Sequence, residues 1–384
     1  MSRLAARGLR PWLRWGAACA LLLLAIEAAS FAALRLLAAR ADARPLPAAG
    51  MPAYRAYPWA ETFWREQKRQ LSLEYHPFGL WRSRPFAGQT VNVDASGVRR
   101  TAHTRCGPED PVVWLFGGST MWGFGSPDWE TIPSHLARGF AESGRPVCAV
   151  NYGEDSWRAA QGTVKLVLEL QAASRKPDLV VFLSGCNDVF TPFFLTGRTD
   201  REWDFVQSKP WLDDLPRRPR GSLAFLRATN TATLVRKVAT RLKGPAPWPA
   251  PADPKALAAE VADDFSRHMD MVEALSKGFG FRWASFWQPL AVAEGKPLSG
   301  EETEGVRRQL GHSYEAGRAA AAATAALVRA QPRPNVHFIA DLFDGHAGSL
   351  YIDSCHLLPE GNRRVAARML EALEPAPPRP PGQP

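Results

Sequence analysis

The chain has 384 residues, of which 46% are hydrophobic and 22% charged, which is typical of an ordered protein with a substantial buried core. The formal net charge is +9, and +5 of it lies in residues 1–50, where seven arginines stand against two acidic residues. The remaining charge is spread along the chain without a basic run that contains interleaved aromatics. The composition therefore argues against nucleic-acid binding.

The first element is an apolar segment at residues 16–34, with the sequence GAACALLLLAIEAASFAAL. Nineteen residues at helical rise nearly cover the hydrocarbon core of a bilayer, and Trp12 and Trp15 before it suit a membrane interface. The segment predicts a transmembrane anchor, preceded by a basic cytoplasmic N-terminus at 1–15. Arginines flank both sides of the segment, four before it and three after it. The positive-inside rule therefore favours this orientation only weakly.

Two alternatives to an uncleaved anchor stay open at this point. A signal peptide could be cleaved near Ala41-Asp42-Ala43, although Glu27 and Arg35 interrupt the apolar segment and the site lies far beyond the leucines. A buried helix of a soluble protein is the other alternative. With an uncleaved anchor, we expect a single-pass membrane protein whose main domain faces the periplasm or cell exterior.

The main domain is predicted from apolar runs that alternate with helical stretches. Residues 35–108 form a juxtamembrane segment and a small β-rich preface, with an amphipathic stretch at 59–73. Residues 109–373 form the main domain. Its predicted strands are Val112–Phe116, Val147–Val150, Leu179–Leu183, Phe281–Phe286 and Val336–Ile339. Its predicted helices are Ile132–Phe140, Gln161–Ala173, Lys255–Ser276 and Glu301–Ala330. This alternation indicates a parallel sheet with helices on both faces.

Two proline-rich segments interrupt the pattern. Residues 190–254 read as an insertion after the third strand, with one helix near Leu223–Leu242. Residues 374–384 read as a disordered tail. An insertion at this point would lie above the carboxyl ends of the strands, where α/β proteins bind ligands.

A candidate nucleophile follows the first strand of the main domain. Ser119 comes directly after Gly117-Gly118 and opens a helical stretch, so its hydroxyl can project with little obstruction. A serine that merely caps a helix would give the same local pattern. A phosphate loop is disfavoured, because neither the lysine of a GxxxxGK[ST] motif nor GxGxxG spacing is present.

Polar residues also follow the other strands. Gly153 follows the second strand, and Asn187 lies in Ser184-Gly185-Cys186-Asn187-Asp188 after the third. Near the C-terminus, Asp353 precedes His356 by three residues, a spacing that lets one turn bring the carboxylate to the ring. These are the residue types that a nucleophile, a base with its orienting acid, and an oxyanion hole require.

These blocks resemble those of the SGNH/GDSL hydrolases. The matching segments, in the order of the family, are Gly118-Ser119, Gly153, Gly185-Cys186-Asn187-Asp188 and Asp353-Ser354-Cys355-His356, within residues 110–373. The sequence departs from the family at Gly118, where many members have aspartate, and there resembles the FGGST variant of membrane-anchored bacterial members. The segment Phe286-Trp287-Gln288-Pro289 resembles the same subgroup and would bring Gln288 near the site.

The resemblance implies a three-layer α/β/α, flavodoxin-like fold and chemistry on acyl esters. Ser119, Asp353 and His356 would be the catalytic triad, and Ser119, Gly153 and Asn187 would form the oxyanion hole. The substrate would be an acyl ester, such as an O-acylated glycan or envelope lipid, without cofactor or metal. An O-acyltransferase with the same triad is one alternative, and a catalytically idle envelope binding protein is another.

Two further assignments have simpler explanations. Asp344, His346, Asp353 and His356 could be read as metal ligands, but the triad accounts for two of them. Trp122 is a candidate for the substrate pocket, although core packing is the favoured explanation for such a residue.

The cysteines suggest an oxidising compartment. Four of the five lie outside the anchor, an even number that permits two disulfides. Cys186 and Cys355 occupy loops expected to meet at the active site, so we predict a bridge between them, and a second one between Cys106 and Cys148. Reduced thiols that fill space are the alternative.

Overall fold

The computed structural model describes residues 5–43, 45–195, 229–243, 253–293 and 295–373. Its α-helices, labelled α1 to α11 along the described chain, are Ala5–Ala43, Ala60–Gln70, Ser119–Trp122, Ile132–Glu142, Ala159–Ala172, Cys186–Leu195, Asn230–Lys243, Pro254–Phe279, Gly300–Leu310, Tyr314–Ala330 and Pro359–Leu373. Its strands, labelled β1 to β9, are Leu73–His76, Leu80–Ser83, Phe86–Ala87, Asn92–Val93, Val112–Gly117, Cys148–Asn151, Leu179–Ser184, Arg282–Trp287 and Val336–Phe338. Short 3-10 turns lie at Pro47–Gly50, Pro52–Ala56, Asp128–Glu130 and Gly311–Ser313.

The described residues belong to two compact units. The first comprises those within 1–45 and 213–247, and the second those within 46–212 and 248–384. The preface therefore packs as part of the same unit as the main domain. The predicted tail at 374–384 and much of the predicted insertion lie outside the described residues.

The first unit is a long apolar helix with a short companion. Within α1, Trp12–Arg40 is long and apolar enough to cross a membrane, with a mean hydropathy of 2.2, which extends the predicted span at both ends. The carboxylate of Glu27 accepts four hydrogen bonds of 2.5–3.0 Å from the backbone and side chains of Asn230 and Thr231 at the start of α7. The glutamate that interrupts the apolar segment thus caps the helix predicted within the insertion.

The core of the second unit is a parallel sheet of five strands in the order β6-β5-β7-β8-β9. Numbered along the chain, this is the order 2-1-3-4-5 of the flavodoxin-like arrangement. All residues of the two central strands β5 and β7 are buried, which explains why both read as continuous apolar runs. The predicted α/β fold is confirmed.

Helices cover the sheet in two groups, as the strand order requires. The chain moves from β5 to β6 in one direction and from β6 to β7 in the other, so right-handed crossovers put α4 and α5 on opposite faces. Helix α4 packs against α11, whereas α8 packs against α5, α6 and α10. The point where the direction reverses lies between β5 and β7, and α/β proteins bind ligands at the carboxyl ends of such strands.

One predicted helix is wrong in its extent. The stretch 301–330 forms two helices, because the chain turns at Gly311, which has a φ of +54°, through a short 3-10 segment. Ser299 and Glu302 form a capping box that starts the first of them, α9.

Candidate active site

Ser119 is the first residue of α3, immediately after β5 and Gly118. Its side chain lies in a nearly closed environment, since the residue is 4% exposed. The Ser119 Oγ atom is 2.7 Å from Nε2 of His356. The backbone N–H groups of a first helical turn have no acceptor inside the helix, so the N–H of Ser119 is available to a ligand oxygen.

The His356 ring is oriented by Asp353. Its Nδ1 atom lies 2.7 Å from Oδ2 of Asp353, and Oδ1 of the same carboxylate accepts the backbone N–H groups of Cys355 and His356 at 3.0 and 2.9 Å. With both carboxylate oxygens occupied, the proton on Nδ1 is held in place and Nε2 faces the serine as an acceptor. The structure thus brings together all three residues predicted for the triad.

Charge and burial have opposite effects on the pKa values of Asp353 and His356. Burial disfavours the ionised form of Asp353, but the His356 charge and the hydrogen bonds to its oxygens hold its pKa below the ordinary value. Burial also disfavours the charged form of His356, but the charge and hydrogen bond of Asp353, with the charge of Asp155, raise its pKa above 6.5. The imidazole is therefore a stronger base than a free histidine.

Asn187 lies over Gly118. Its Nδ2 atom donates to the backbone oxygen of Trp157 at 2.9 Å, which fixes the amide. A Cβ atom at position 118 would come within 2.4 Å of that same Nδ2. In this chain, the glycine at position 118 therefore leaves room for the asparagine amide beside the nucleophile.

Gly153 packs against the backbone of α3. A Cβ atom there would lie 2.5 Å from the backbone nitrogen of Trp122, so only glycine allows this approach. Its own N–H donates to Oδ1 of Asn151 at 3.0 Å. Of the predicted oxyanion donors, the Asn187 amide therefore lies beside the start of α3, whereas Gly153 lies against the end of α3 with its N–H engaged by Asn151.

Helix α9 fixes the loop that carries Asp353. Oε1 of Glu302 accepts the backbone N–H groups of Leu350 and Tyr351 at 2.8 and 3.0 Å, and Oε2 is paired with the buried Lys296 at 2.8 Å. Gln309 accepts the N–H of Ser354 at 2.9 Å. Sequence reasoning missed these supports, because nothing in the sequence pairs a helix at 300–310 with a loop at 350–354.

The preface fixes the chain that follows the nucleophile. The buried Arg99 guanidinium donates to the carbonyl oxygens of Trp122, Gly123 and Ser126 at 2.6–3.1 Å, and is paired with Asp128 at 3.1 Å. It also lies 4.1 Å from the centroid of the Trp122 ring. The preface is therefore part of the active-site architecture.

A second carboxylate, missed by sequence reasoning, lies near the histidine. Asp155 is half-buried and acts on the charge of His356, and burial raises its own pKa. The signal was available, since Asp155 follows the second strand by only four residues. The ring of Phe124 also packs on the His356 ring, with centroids 4.4 Å apart.

The other predicted residues have the following positions. Trp122 is buried beneath Arg99, with 2% exposure. Gln288 is buried and donates to Thr120 Oγ1 at 3.3 Å, in a pocket that it lines with Gly118 and Asn187. Cys186 is bonded to Cys355 and Cys106 to Cys148, with Cα atoms 6.1 and 4.4 Å apart.

The metal interpretation does not fit these contacts. Potential ligand atoms of Asp353, Cys355 and His356 lie within 4.8 Å of one another, but the Cys355 sulfur is bonded to Cys186. In the part of the chain that the structure describes, Asp344 and His346 do not join this group. Asp344 instead accepts the N–H of Gly295 at 2.7 Å.

No protein-family model matches this sequence, and no curated protein matches it. The solved structures to which the chain is similar include GDSL/SGNH-family hydrolases and esterases. A lipolytic protein of the G-D-S-L family from Desulfitobacterium hafniense DCB-2 is 12% identical with a TM-score of 0.35, covering 69% of this chain and 100% of its own. The acetyl xylan esterase AlAXEase is 16% identical with a TM-score of 0.34, covering 68% and 99%. TesA is 15% identical with a TM-score of 0.32, covering 68% and 98%. The function proposed below therefore depends on the geometry of the site.

Proposed function

We propose that this protein is a serine esterase that acts through an acyl-enzyme on acyl esters of the cell envelope, with O-acylated glycans or lipids as the substrate class. The proposal is carried by one observation, the continuous chain of 2.7 Å contacts from Ser119 Oγ to His356 to Asp353. A nucleophile, a base and an orienting acid in hydrogen-bond contact are what acyl transfer requires.

The reaction proceeds in two halves. Ser119 Oγ attacks the ester carbonyl carbon while Nε2 of His356 accepts the hydroxyl proton, and the carbonyl oxygen becomes an oxyanion. The imidazolium then gives this proton to the leaving alcohol as the C–O bond breaks, which leaves an ester on Ser119. Water enters by the same route, with His356 again as the base, and releases the acid.

Stabilisation of the oxyanion is assigned to the Ser119 N–H, the Asn187 amide and the Gly153 N–H. The first two are supported by the start of α3 and by the packing of Asn187 on Gly118. The Gly153 N–H would divide its hydrogen bond between Asn151 and the oxyanion. Neutral donors fixed before the reaction lower the barrier without reorganisation.

The proposed location is a membrane surface, with the catalytic domain outside the cytoplasm. The apolar helix Trp12–Arg40 and the paired cysteines support this location, since disulfides persist in oxidising compartments. A C-terminal alkaline phosphatase fusion should be active, and the protein should resist carbonate extraction. Release as a soluble protein with a new N-terminus near residue 44 would contradict the anchor.

The activity is tested by turnover of p-nitrophenyl acetate by full-length protein in detergent. Ser119→Ala should abolish turnover, and Asn187→Ala should lower it by roughly 10²–10³-fold. Glu61→Gln, at a side chain 94% exposed in α2, is the matched control and should keep the wild-type rate. Wild-type turnover by folded Ser119→Ala protein would refute the function.

A further inference from the structure

A small pocket opens beside the nucleophile, and its lining includes Ser119, Gln70, Trp122, Phe124 and Asp155. The preface contributes Gln70 from α2, so this wall does not belong to the parallel sheet. Its cavity volume is about 10 Å³, which is room for one small polar group such as a single hydroxyl.

The position of Asp155 is fixed by three independent features. Its carbonyl oxygen accepts the indole N–H of Trp81 at 2.7 Å, and its own N–H donates to Oε1 of Glu154 at 2.8 Å. The next residue, Ser156, has a φ of +61°, a conformation that costs a non-glycine residue free energy. Strain that the surroundings maintain in this way is concentrated at functional sites.

Glu154, which supports this turn, is itself deeply buried. It accepts the N–H and the hydroxyl of Ser83, from β2 of the preface, as well as the N–H of Asp155. Burial raises the pKa of Glu154 to about 7, against the opposing effect of those hydrogen bonds. The sheet domain and the preface therefore jointly hold the Asp155 backbone.

The carboxylate of Asp155 keeps hydrogen-bonding capacity. Among the residues that the structure describes, its one side-chain donor is Ser156 Oγ, at a long 3.4 Å. A carboxylate can accept several hydrogen bonds through its two oxygens. It thus offers acceptor sites to a bound group beside the catalytic histidine.

Two residues of the same pocket carry donors without acceptors. Nε2 of Gln70 and Nε1 of Trp122 are buried and have no hydrogen-bond partner among the described residues. Buried donors without acceptors are rare in folded proteins because each costs free energy, and a bound ligand can supply the missing acceptor. The pocket therefore combines unpaired donors, an acceptor with spare hydrogen-bonding capacity and two aromatic side chains.

We propose that this pocket binds the hydroxyl-bearing part of the substrate, and that the substrate is the ester of an uncharged sugar or related polyol. Asp155 accepts the hydrogen of one substrate hydroxyl, and the N–H groups of Gln70 and Trp122 donate to the oxygen of that hydroxyl. An acidic sugar is disfavoured, because its carboxylate would meet that of Asp155. This inference rests on the proposed esterase function and narrows its substrate class from glycans or lipids to neutral glycans.

The test compares matched esters with full-length protein in detergent. We would measure kcat/KM for acetate release from methyl 3-O-acetyl-glucoside and from methyl 3-O-acetyl-glucuronide, which differ only in the sugar carboxylate, and for p-nitrophenyl octanoate. The wild type should prefer the glucoside. Asp155→Asn should reduce the glucoside-to-glucuronide ratio by roughly tenfold, because the neutral amide no longer repels the glucuronide carboxylate.

Two further variants separate binding from folding. Gln70→Met, which keeps volume but removes the donor, should lower kcat/KM for both sugar esters relative to p-nitrophenyl octanoate. Glu61→Gln should keep every wild-type ratio. An unchanged ratio in Asp155→Asn, or a wild type that does not prefer the glucoside to the glucuronide, would overturn the inference. Loss of the proposed function itself is recognised separately, because the wild type would then fail to turn over p-nitrophenyl acetate.

Discussion

At the scale of single residues, two carboxylates control the base. Asp353 contacts the His356 ring at 2.7 Å, and Asp155 acts on it through its charge. Both favour the imidazolium, which lets His356 take a proton from Ser119. The same charges also determine the pH below which activity is lost.

We predict that activity falls as the pH is lowered, with an apparent pKa above 6.5. The reason is the raised pKa of His356, since only neutral imidazole accepts the serine proton, and it is lost as pH falls through that value. The measurement is kcat/KM for p-nitrophenyl acetate across pH. Asp155→Asn should move the acidic limb to lower pH, and an unshifted limb would mean that Asp155 exerts no charge effect on the ring.

Gly118 gives a second prediction at this scale. In Gly118→Ala the new Cβ would displace Asn187 Nδ2, which lies 2.4 Å from its position. Turnover should fall by roughly 10²–10³-fold, as for removal of an oxyanion donor. Adding Asn187→Ala should cost little more, because both changes remove the same interaction.

The matched control is Gly278→Ala in α8, where a Cβ would meet no atom within 4 Å. This variant should keep wild-type turnover. Additive losses in the Gly118→Ala/Asn187→Ala double variant would instead show that Gly118 acts independently of the asparagine.

At the scale of elements, the preface positions the nucleophile through one side chain. Arg99 is 1% exposed and binds three carbonyl oxygens of the chain that follows Ser119. Breaking a buried, hydrogen-bonded ion pair on one side leaves the other charge uncompensated, at a cost of about 3–5 kcal/mol. The preface should therefore be indispensable to both stability and catalysis.

We predict that Arg99→Met lowers the free energy of unfolding by about 3–5 kcal/mol and reduces kcat. Urea unfolding followed by tryptophan fluorescence measures the first effect, and p-nitrophenyl acetate turnover the second. Arg100→Met, at the exposed neighbouring position, should change stability by less than about 0.5 kcal/mol. Equal effects of the two substitutions would contradict a specific role for Arg99.

The elements also show what the sequence could and could not predict. The strands of the sheet were predicted almost to the residue, because each contains an apolar run, which is continuous in the fully buried strands β5 and β7. The preface was predicted to be β-rich, but the bounds of its strands were not, because Phe86–Ala87 and Asn92–Val93 have two residues each and no usable periodicity. The break at Gly311 was missed because the flanking segments keep a helical pattern.

The site residues likewise fall into those that local sequence motifs predict and those that depend on tertiary packing. Ser119, Asp353 and His356 could be proposed because short motifs at strand ends carry them. The roles of Arg99 and Gln70 depend on the packing of the preface against the catalytic loops, which no local pattern encodes. Asp155 was within reach of sequence reasoning, but its significance depends on a pocket that Gln70 helps to form.

At the scale of the whole molecule, the disulfides connect distant parts of the chain. Cys186 and Cys355 are 169 residues apart in sequence and join the start of α6 to the loop that carries the histidine. Cross-links that close long loops restrict the unfolded chain most, in the entropic account of disulfide stability. This bridge should therefore stabilise the fold and limit movement between Asn187 and His356.

We predict that Cys186→Ala/Cys355→Ala lowers the free energy of unfolding by about 2–5 kcal/mol. Cys19→Ala, which removes the free and exposed cysteine of α1, is the control and should leave stability unchanged. A peptide map of non-reduced protein from an oxidising compartment checks the pairing. Alkylatable thiols at both 186 and 355 would contradict the bridge while leaving the triad intact.

The central claim is that Ser119 is a nucleophile activated by His356. The most direct measurement is labelling of full-length protein with a fluorophosphonate probe, followed by mass spectrometry of the labelled peptide. The account predicts one probe per chain on Ser119, and strongly reduced labelling in His356→Ala, which lacks the base. Labelling at another serine, or none in folded wild-type protein, would contradict it.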